Sequence, residues 1–300
     1  MNGASRRIER GLTLIELLVV VVILATIAQT ALVTADRLVD EERFTRTTDA
    51  LESAEVAILG RRNALDPSGR LWAEGFVADV GRLPIVRDPG DGAALDELWA
   101  GHSSLTPFAL QTAPGDPAVR LPCGWRGPYL QLGIGKSAWF DGWGKAFLAR
   151  DEAGDVAQVG TAIARIASLG ADGEPGGDGY AEDLELEFGS GSTSRHLGVI
   201  PVRVVPDPNI GGQIVVRVFG PQNGKLVTLE QQVLAIGATA SVSTTFSAVS
   251  VGPRVVRAYQ TATPPPAKEL PVGAGIASAI EPVVVVQGGI PELVFDLADP

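Results

Sequence analysis

The chain has 300 residues, 45% of them hydrophobic and 20% charged, with a formal net charge of −11; this length allows two core-bearing domains. So acidic a balance excludes a surface built to neutralise nucleic-acid phosphates, which takes clustered Lys and Arg. Cys123 is the only cysteine, which excludes an intrachain disulfide and a cysteine-based metal site and leaves a small buried hydrophobe as its reading.

Arg6, Arg7, Glu9 and Arg10 precede Gly11, and an apolar run follows from Leu12 to about Val33. About 22 residues make about 33 Å of helix, enough to cross a hydrocarbon core. The positive-inside rule keeps the three arginines cytoplasmic and sends everything after the run outward. Glu16 is the exception within it. A carboxylate at that depth costs about 2.5–3.5 kcal/mol on insertion scales, which predicts a dedicated polar partner. A cleavable secretory signal has a shorter apolar region, about 7–15 residues, with its cleavage site behind it. Here Gly11 stands in front.

A short basic leader, a glycine and an apolar helix with Glu at its fifth position resemble the leader of type IV prepilins and type II secretion pseudopilins. The resemblance implies a prepilin peptidase that cuts after Gly11 and methylates the new terminus at Leu12, where the family usually has Phe. It also implies that Glu16 pairs with the terminal amine of a neighbouring subunit, so that copies self-associate into a helical filament on a secretion or pilus assembly platform. A plain signal anchor with one acid is the competing reading.

Beyond Asp36 the chain turns polar but keeps a helical rhythm to about Asn63. Phe44, Leu51, Ile58 and Leu65 recur at heptad spacing with Ala54 between them, while Asp40, Glu41, Glu42, Arg43, Arg46, Asp49, Glu52 and Glu55 take the other faces. One continuous helix is expected, half in lipid and half on a globular domain, stopped by Asp66-Pro67-Ser68-Gly69. From Leu71 to Leu130 the pattern is irregular. It predicts one short helix, Ala93 to Ala100, in loop-rich packing against the long helix, with Trp72, Trp99 and Trp125 as core anchors.

Asp141-Gly142-Trp143-Gly144-Lys145-Ala146-Phe147 opens a strand, and a second strand runs through Ile163 to Ala167. A Gly-rich acidic loop then extends from Ser168 to Leu184. This order resembles the major pseudopilin of type II secretion, whose corresponding loop binds calcium; Glu182 and Leu184 depart from the usual Ala and Ile. Calcium takes six to eight oxygens, mixing carboxylates with carbonyls, and glycines let the backbone curl around it. The resemblance implies the Leu169 carbonyl with Asp172, Asp178 and Asp183 as ligands. A solvated acidic turn is the alternative.

Gly189 to Ser194 has linker composition. Beyond it, runs rich in Val, Ile and Thr span Val199–Val205, Gln213–Phe219, Leu226–Val233, Ala240–Val249, Arg254–Tyr259, Pro282–Val286 and Glu292–Leu297. Short strands between Gly, Asn and Pro turns fit an antiparallel sandwich, and Thr263-Pro264-Pro265-Pro266 reads as an exposed crossover. The two histidines, His102 and His196, lie on unrelated segments, and no nucleophile elbow, zinc-protease, P-loop or dinucleotide motif is present. No catalysis is expected.

The fold class expected is α+β: a long transmembrane and amphipathic helix on a small antiparallel sheet, the pilin fold, followed by an all-β sandwich. The expected divisions are leader 1–11, helix 12–65 with 12–33 in the membrane, a globular part 66–188, linker 189–197 and sandwich 198–300. With the resemblance, the expected place is the bacterial inner membrane, single-pass, with periplasmic domains. The role is a filament subunit, with a tip or minor subunit bearing a binding module, or a non-assembling envelope protein, as alternatives.

Overall fold

A computed structural model describes residues 14–61, 74–87, 94–133, 135–189, 194–236, 241–261 and 277–298. The expectations on Gly11, Leu12, the turn at 66–69, Trp72, the serine-rich stretch 190–193 and the prolines 264–266 lie outside these residues. The chain is a long N-terminal apolar helix followed by mostly β structure in several sheets.

Helix α1 runs from Leu14 to Leu59. Its first half is exposed on all sides, with Leu14 83% and Leu24 59% accessible. Its second half buries Thr47, Leu51, Ala54 and Ile58, a stripe at helical spacing. The rhythm predicted a helix to about Asn63, and the end comes earlier. Gly60 turns left-handed at φ 82°, its N–H bonded to the Val56 carbonyl at 2.9 Å. A Cβ at that position would stand 1.8 Å from the Glu74 carbonyl oxygen, so the returning chain demands glycine there.

Helix α2, Phe76–Val80, is buried along its whole length. The helix expected at Ala93–Ala100 is only a 3-10 turn, Asp96–Leu98. The reason is Glu97: its side chain is fully buried and holds Arg82 and Arg87, each at 2.8 Å, and accepts the Ile85 N–H at 3.0 Å. Inward-pointing Glu97 pins the segment, and regular helix stops there.

The stretch expected as loops against the helix contains a hairpin instead, β1 (Ala109–Ala113) and β2 (Asp116–Cys123). Its inner side, Val119, Leu121 and Cys123, packs on Phe219, Leu226 and Val255 of the C-terminal region. A three-stranded antiparallel sheet follows, β3 (Leu148–Arg150), β4 (Arg165–Ser168) and β5 (Leu184–Glu187). Ile166 and Leu186 join Leu51, Ile58, Phe76 and Phe147 in one core beneath α1.

All seven strands expected in the last hundred residues form: β6 (Leu197–Val205), β7 (Gln213–Gln222), β8 (Lys225–Ala235), β9 (Val242–Ser250), β10 (Gly252–Thr261), β11 (Ala277–Val285) and β12 (Leu293–Asp296). They make two sheets, ordered β11-β10-β7-β8 and β12-β6-β9, whose inward residues share one core. The pairing is not purely antiparallel, because β12 runs parallel to β6. Between β7 and β8, Asn223 (φ 53°) and Gly224 (φ 77°) make a two-residue turn of the kind that matches strand twist.

The two β regions are clamped together. Arg82 donates to Asn223 at 2.6 Å, the Gln111 side chain donates to the Gly224 carbonyl at 2.6 Å and accepts the Leu226 N–H at 3.0 Å, and Arg195 ion-pairs with Glu55 on α1. Strand β7 is buried on both faces for this reason, sandwich core on one side and hairpin on the other.

Candidate functional site

The most apolar 18 residues of α1 have a mean hydropathy of 2.5, and none of that window is buried against the rest of the chain. Length and composition suit a membrane crossing. Glu16 sits in the first described turn of this helix, and the apolar neighbours Ile15 and Leu17 are 71% and 58% exposed.

Where α1 meets the globular part, a short motif fixes it. Asp141 is buried; one carboxylate oxygen accepts the N–H groups of Trp143 (3.0 Å) and Lys145 (2.8 Å), and the other accepts the Ser168 hydroxyl at 2.6 Å. The turn so formed presses Gly142 onto α1. Its N–H donates to Thr47 Oγ1 at 2.9 Å, and a Cβ there would lie 2.0 Å from the Arg43 carbonyl oxygen. The residue types of this segment thus follow from two needs, an anion to cap the turn and a missing side chain at the crossing.

The Gly-rich loop lies beside that turn. Lys145 Nζ donates to the carbonyls of Ala171 at 3.0 Å and Gly170 at 3.4 Å, and the Tyr180 ring meets Phe44 of α1 edge-on at 6.1 Å. The loop folds back on itself, with Ala171 N–H on the Tyr180 carbonyl at 2.8 Å. Gly177 abuts Ala181 so closely that a Cβ would stand 2.4 Å from its carbonyl. Of the four ligands the resemblance implied, the Leu169 carbonyl accepts the Gly173 N–H at 3.0 Å. Asp172 is exposed and accepts the Glu174 N–H at 3.1 Å. Asp178 is exposed and leads a 3-10 turn, Gly179–Ala181. Asp183 is half-buried, and its Oδ1 is sealed from solvent with no hydrogen-bond partner. Among the described residues no three acidic, His or Cys side chains converge as a metal-binding group. Of these groups only the Asp183 oxygen is left unsatisfied; the loop carbonyls accept Lys145 Nζ or backbone N–H groups, and the carboxylates of Asp172 and Asp178 stay at the surface.

Sequence reasoning missed a second polar centre. Asp79 on α2 is buried, meets Arg126 at 2.8 Å and accepts the Tyr129 hydroxyl at 3.0 Å. Burial pushes its carboxyl up to about 6, against the pull of Arg126 and Tyr129. Nearby, Arg254 is fully buried and donates to Ser250 at 2.7 Å and to the Val251 carbonyl at 2.9 Å; burial brings it down to about 9. No local pattern marks these groups, since Asp79 and Tyr129 are 50 residues apart. The histidines are separate: exposed His102 has Nδ1 3.0 Å from Ser104 Oγ, and burial lowers the pKa of His196 beside β6.

Residues 6–28 match the family model of the prokaryotic N-terminal methylation motif. No curated protein and no solved structure matches the chain. The matched stretch takes in the end of the leader from Arg6, then Gly11, Leu12 and Glu16, and runs into the exposed half of α1. The N-terminal region therefore carries a type IV prepilin-like methylation signal, the mark of processing by prepilin peptidase, ahead of a helix long and apolar enough to cross a membrane.

Proposed function

We propose that the protein is a structural subunit, pseudopilin or pilin-like, of a type II secretion or type IV pilus-like filament. The observation that carries this is the methylation motif placed on a helix whose first half offers apolar surface all round. Cleavage after Gly11 frees the Leu12 amine, and Glu16 of an adjacent copy takes it as partner while the helices pack. The globular parts stand on the periplasmic side, in the packing of a pilin fold, and the protein performs no catalysis. Co-expression with prepilin peptidase tests the reading: the chain should shorten by about eleven residues, the leader length set by the position of Gly11. A chain that keeps Met1 under those conditions defeats it. Glu16→Ala should then leave a processed protein that no longer assembles.

The same reading gives the Gly-rich loop calcium as its ligand, as in the major pseudopilin it resembles, with Leu169, Asp172, Asp178 and Asp183 around the ion. The buried, unsatisfied Asp183 oxygen supports this. A ligand that binds only the folded state stabilises by mass action, by about 2.7 kcal/mol at a hundred times its dissociation constant. Calcium should therefore raise the melting temperature, and Asp172→Ala should lower it only when calcium is present. Equal melting with calcium and with chelator removes the site.

A second reading makes the chain a minor or tip subunit, with the sandwich as a binding module. The clamp between Arg82, Gln111 and the β7–β8 turn favours it, because a rigidly held sandwich projects a fixed surface. Crosslinking stoichiometry separates the two: one copy per filament supports the tip role, many copies the main subunit.

A further inference from the structure

We propose that two copies of this chain pair through the sandwich, the outer face of the β1–β2 hairpin of each copy filling a groove on the flank of the other's sandwich. The two flanks differ. On one, β8 and β9 are joined by Gln232, which bonds to the Thr244 hydroxyl and donates to the Thr245 carbonyl at 3.3 Å. On the other, the edge strands β11 and β12 leave a groove of about 480 Å³ between them. Val284, Ile290, Pro291 and Leu293 supply its apolar walls, and Glu281 its exposed charge, the Glu292 carboxylate being held by Arg203 at 3.1 Å. Arg254 also lines it but is 0% exposed, so the charge presented outward is negative. Pro282 within β11 has no N–H to offer an added strand, so side chains and not a strand edge suit the groove.

The hairpin carries the complement. With its inner side buried on the sandwich, its outer face shows Phe108, 38% exposed, and Leu110, 57% exposed, with Pro122 paired opposite Leu110. Arg120, exposed and paired opposite Thr112, supplies the charge that flanks this surface; the Arg126 guanidinium, held by Asp79 at 2.8 Å, lies 5.3 Å from the Phe108 ring centre. An apolar ridge edged with arginine thus faces outward on the same molecule as an apolar groove edged with glutamate. Leu121 lines the groove from the inner face of β2 while Pro122 stands on its outer face, so the two surfaces meet around the edge of one strand. A two-fold axis beside them satisfies both contacts at once, the self-complementary arrangement of an isologous pair. This pairing is separate from assembly through α1.

The test uses the full chain in detergent. Proteins carrying Leu110→Cys and Val284→Cys are mixed and treated with a short bismaleimide; native Cys123 is buried. Dimer-mass product at least about tenfold above the pair Leu110→Cys with Val233→Cys, which places the second thiol on strand β8, is expected, as is persistence of that product with Glu16→Ala. Like charges facing across an interface are strongly unfavourable, so Arg120→Glu in the Leu110→Cys partner should cut the yield about tenfold, and Glu281→Arg in the other partner should restore it. Melting temperatures equal to that of the parent chain show that each variant is folded. Yield no higher than the Val233→Cys control, indifference to Arg120→Glu, failure of the charge exchange to restore it, loss with Glu16→Ala, or a product of non-dimer mass overturns the proposal.

Discussion

The two halves of α1 share one secondary structure and face opposite surroundings. Leu24 and Ile58 are both aliphatic residues on the same helix, yet Leu24 is 59% exposed and Ile58 0%. In the first half the apolar side chains form a sleeve on every face, as suits a helix solvated by lipid or by other helices. In the second half they narrow to a stripe, and charged residues take the remaining faces. The change comes where Gly142 meets the helix at Arg43 and Thr47. Above that crossing the helix belongs to the globular core; below it the helix is available to something else.

The sharpest way to break this contrast is inside the globular part. Glu97 is a buried anion between two arginines, and removing one partner of such a set costs about 3–5 kcal/mol. Glu97→Ala should lower the denaturation midpoint of the globular part by that amount, whereas Glu97→Gln, which keeps one acceptor for Arg82, should lose less. The next largest effect compares the halves directly. Ile58→Ala should cost about 2–5 kcal/mol through lost burial and a cavity. Leu24→Ala should leave the unfolding of the globular part unchanged, and equal losses for the two would remove the distinction between the halves. At the boundary, Gly142→Ala forces a methyl into the Arg43 backbone; overpacking of this kind costs about 1–3 kcal/mol. Protease cleavage within α1 near the crossing should accelerate in that variant.

A further effect is a pH dependence. Burial lifts the Asp79 carboxyl to about 6 in the folded chain, against its ordinary value of 3.8 when unfolded. Between those values the folded state holds more protons, so stability falls as pH rises through this window. The protective contribution is fully present below about pH 4 and gone above about pH 6. Asp79→Asn should flatten that part of the profile, measured as the difference between denaturant midpoints of variant and parent at pH 4, 5, 6 and 7. A parent whose stability instead rises across this window, by more than Asp79→Asn does, would show that Arg126 outweighs burial.

Periodicity alone located most of the regular structure. The apolar run, the stripe at Leu51, Ala54 and Ile58, and all seven C-terminal strands were readable because each depends on residues a few positions apart. The helix end was misplaced by a few residues because Gly60 is demanded by Glu74, a distant neighbour that periodicity does not see. The basic leader and the apolar run behind it were readable as a motif, and the family comparison matches residues 6–28 to a methylation signal. The acidic loop was readable as a composition, but its arrangement was not: Asp183 turns inward while Asp172 and Asp178 stay at the surface.

What the sequence determined by itself is a membrane-length apolar helix behind a basic, glycine-terminated leader, and a β-rich remainder, since charge, hydropathy and alternation are properties of neighbours along the chain. Only the tertiary structure decided that the hairpin at 109–123 belongs against the sandwich, that Glu97 turns inward and that Asp79 is buried beside Arg126. Gln111 reaches Gly224 across 113 residues and Arg257 reaches Asp116 across 141. Such pairs are selected by the shape and solvation of the assembled core, and nothing in their local surroundings announces them.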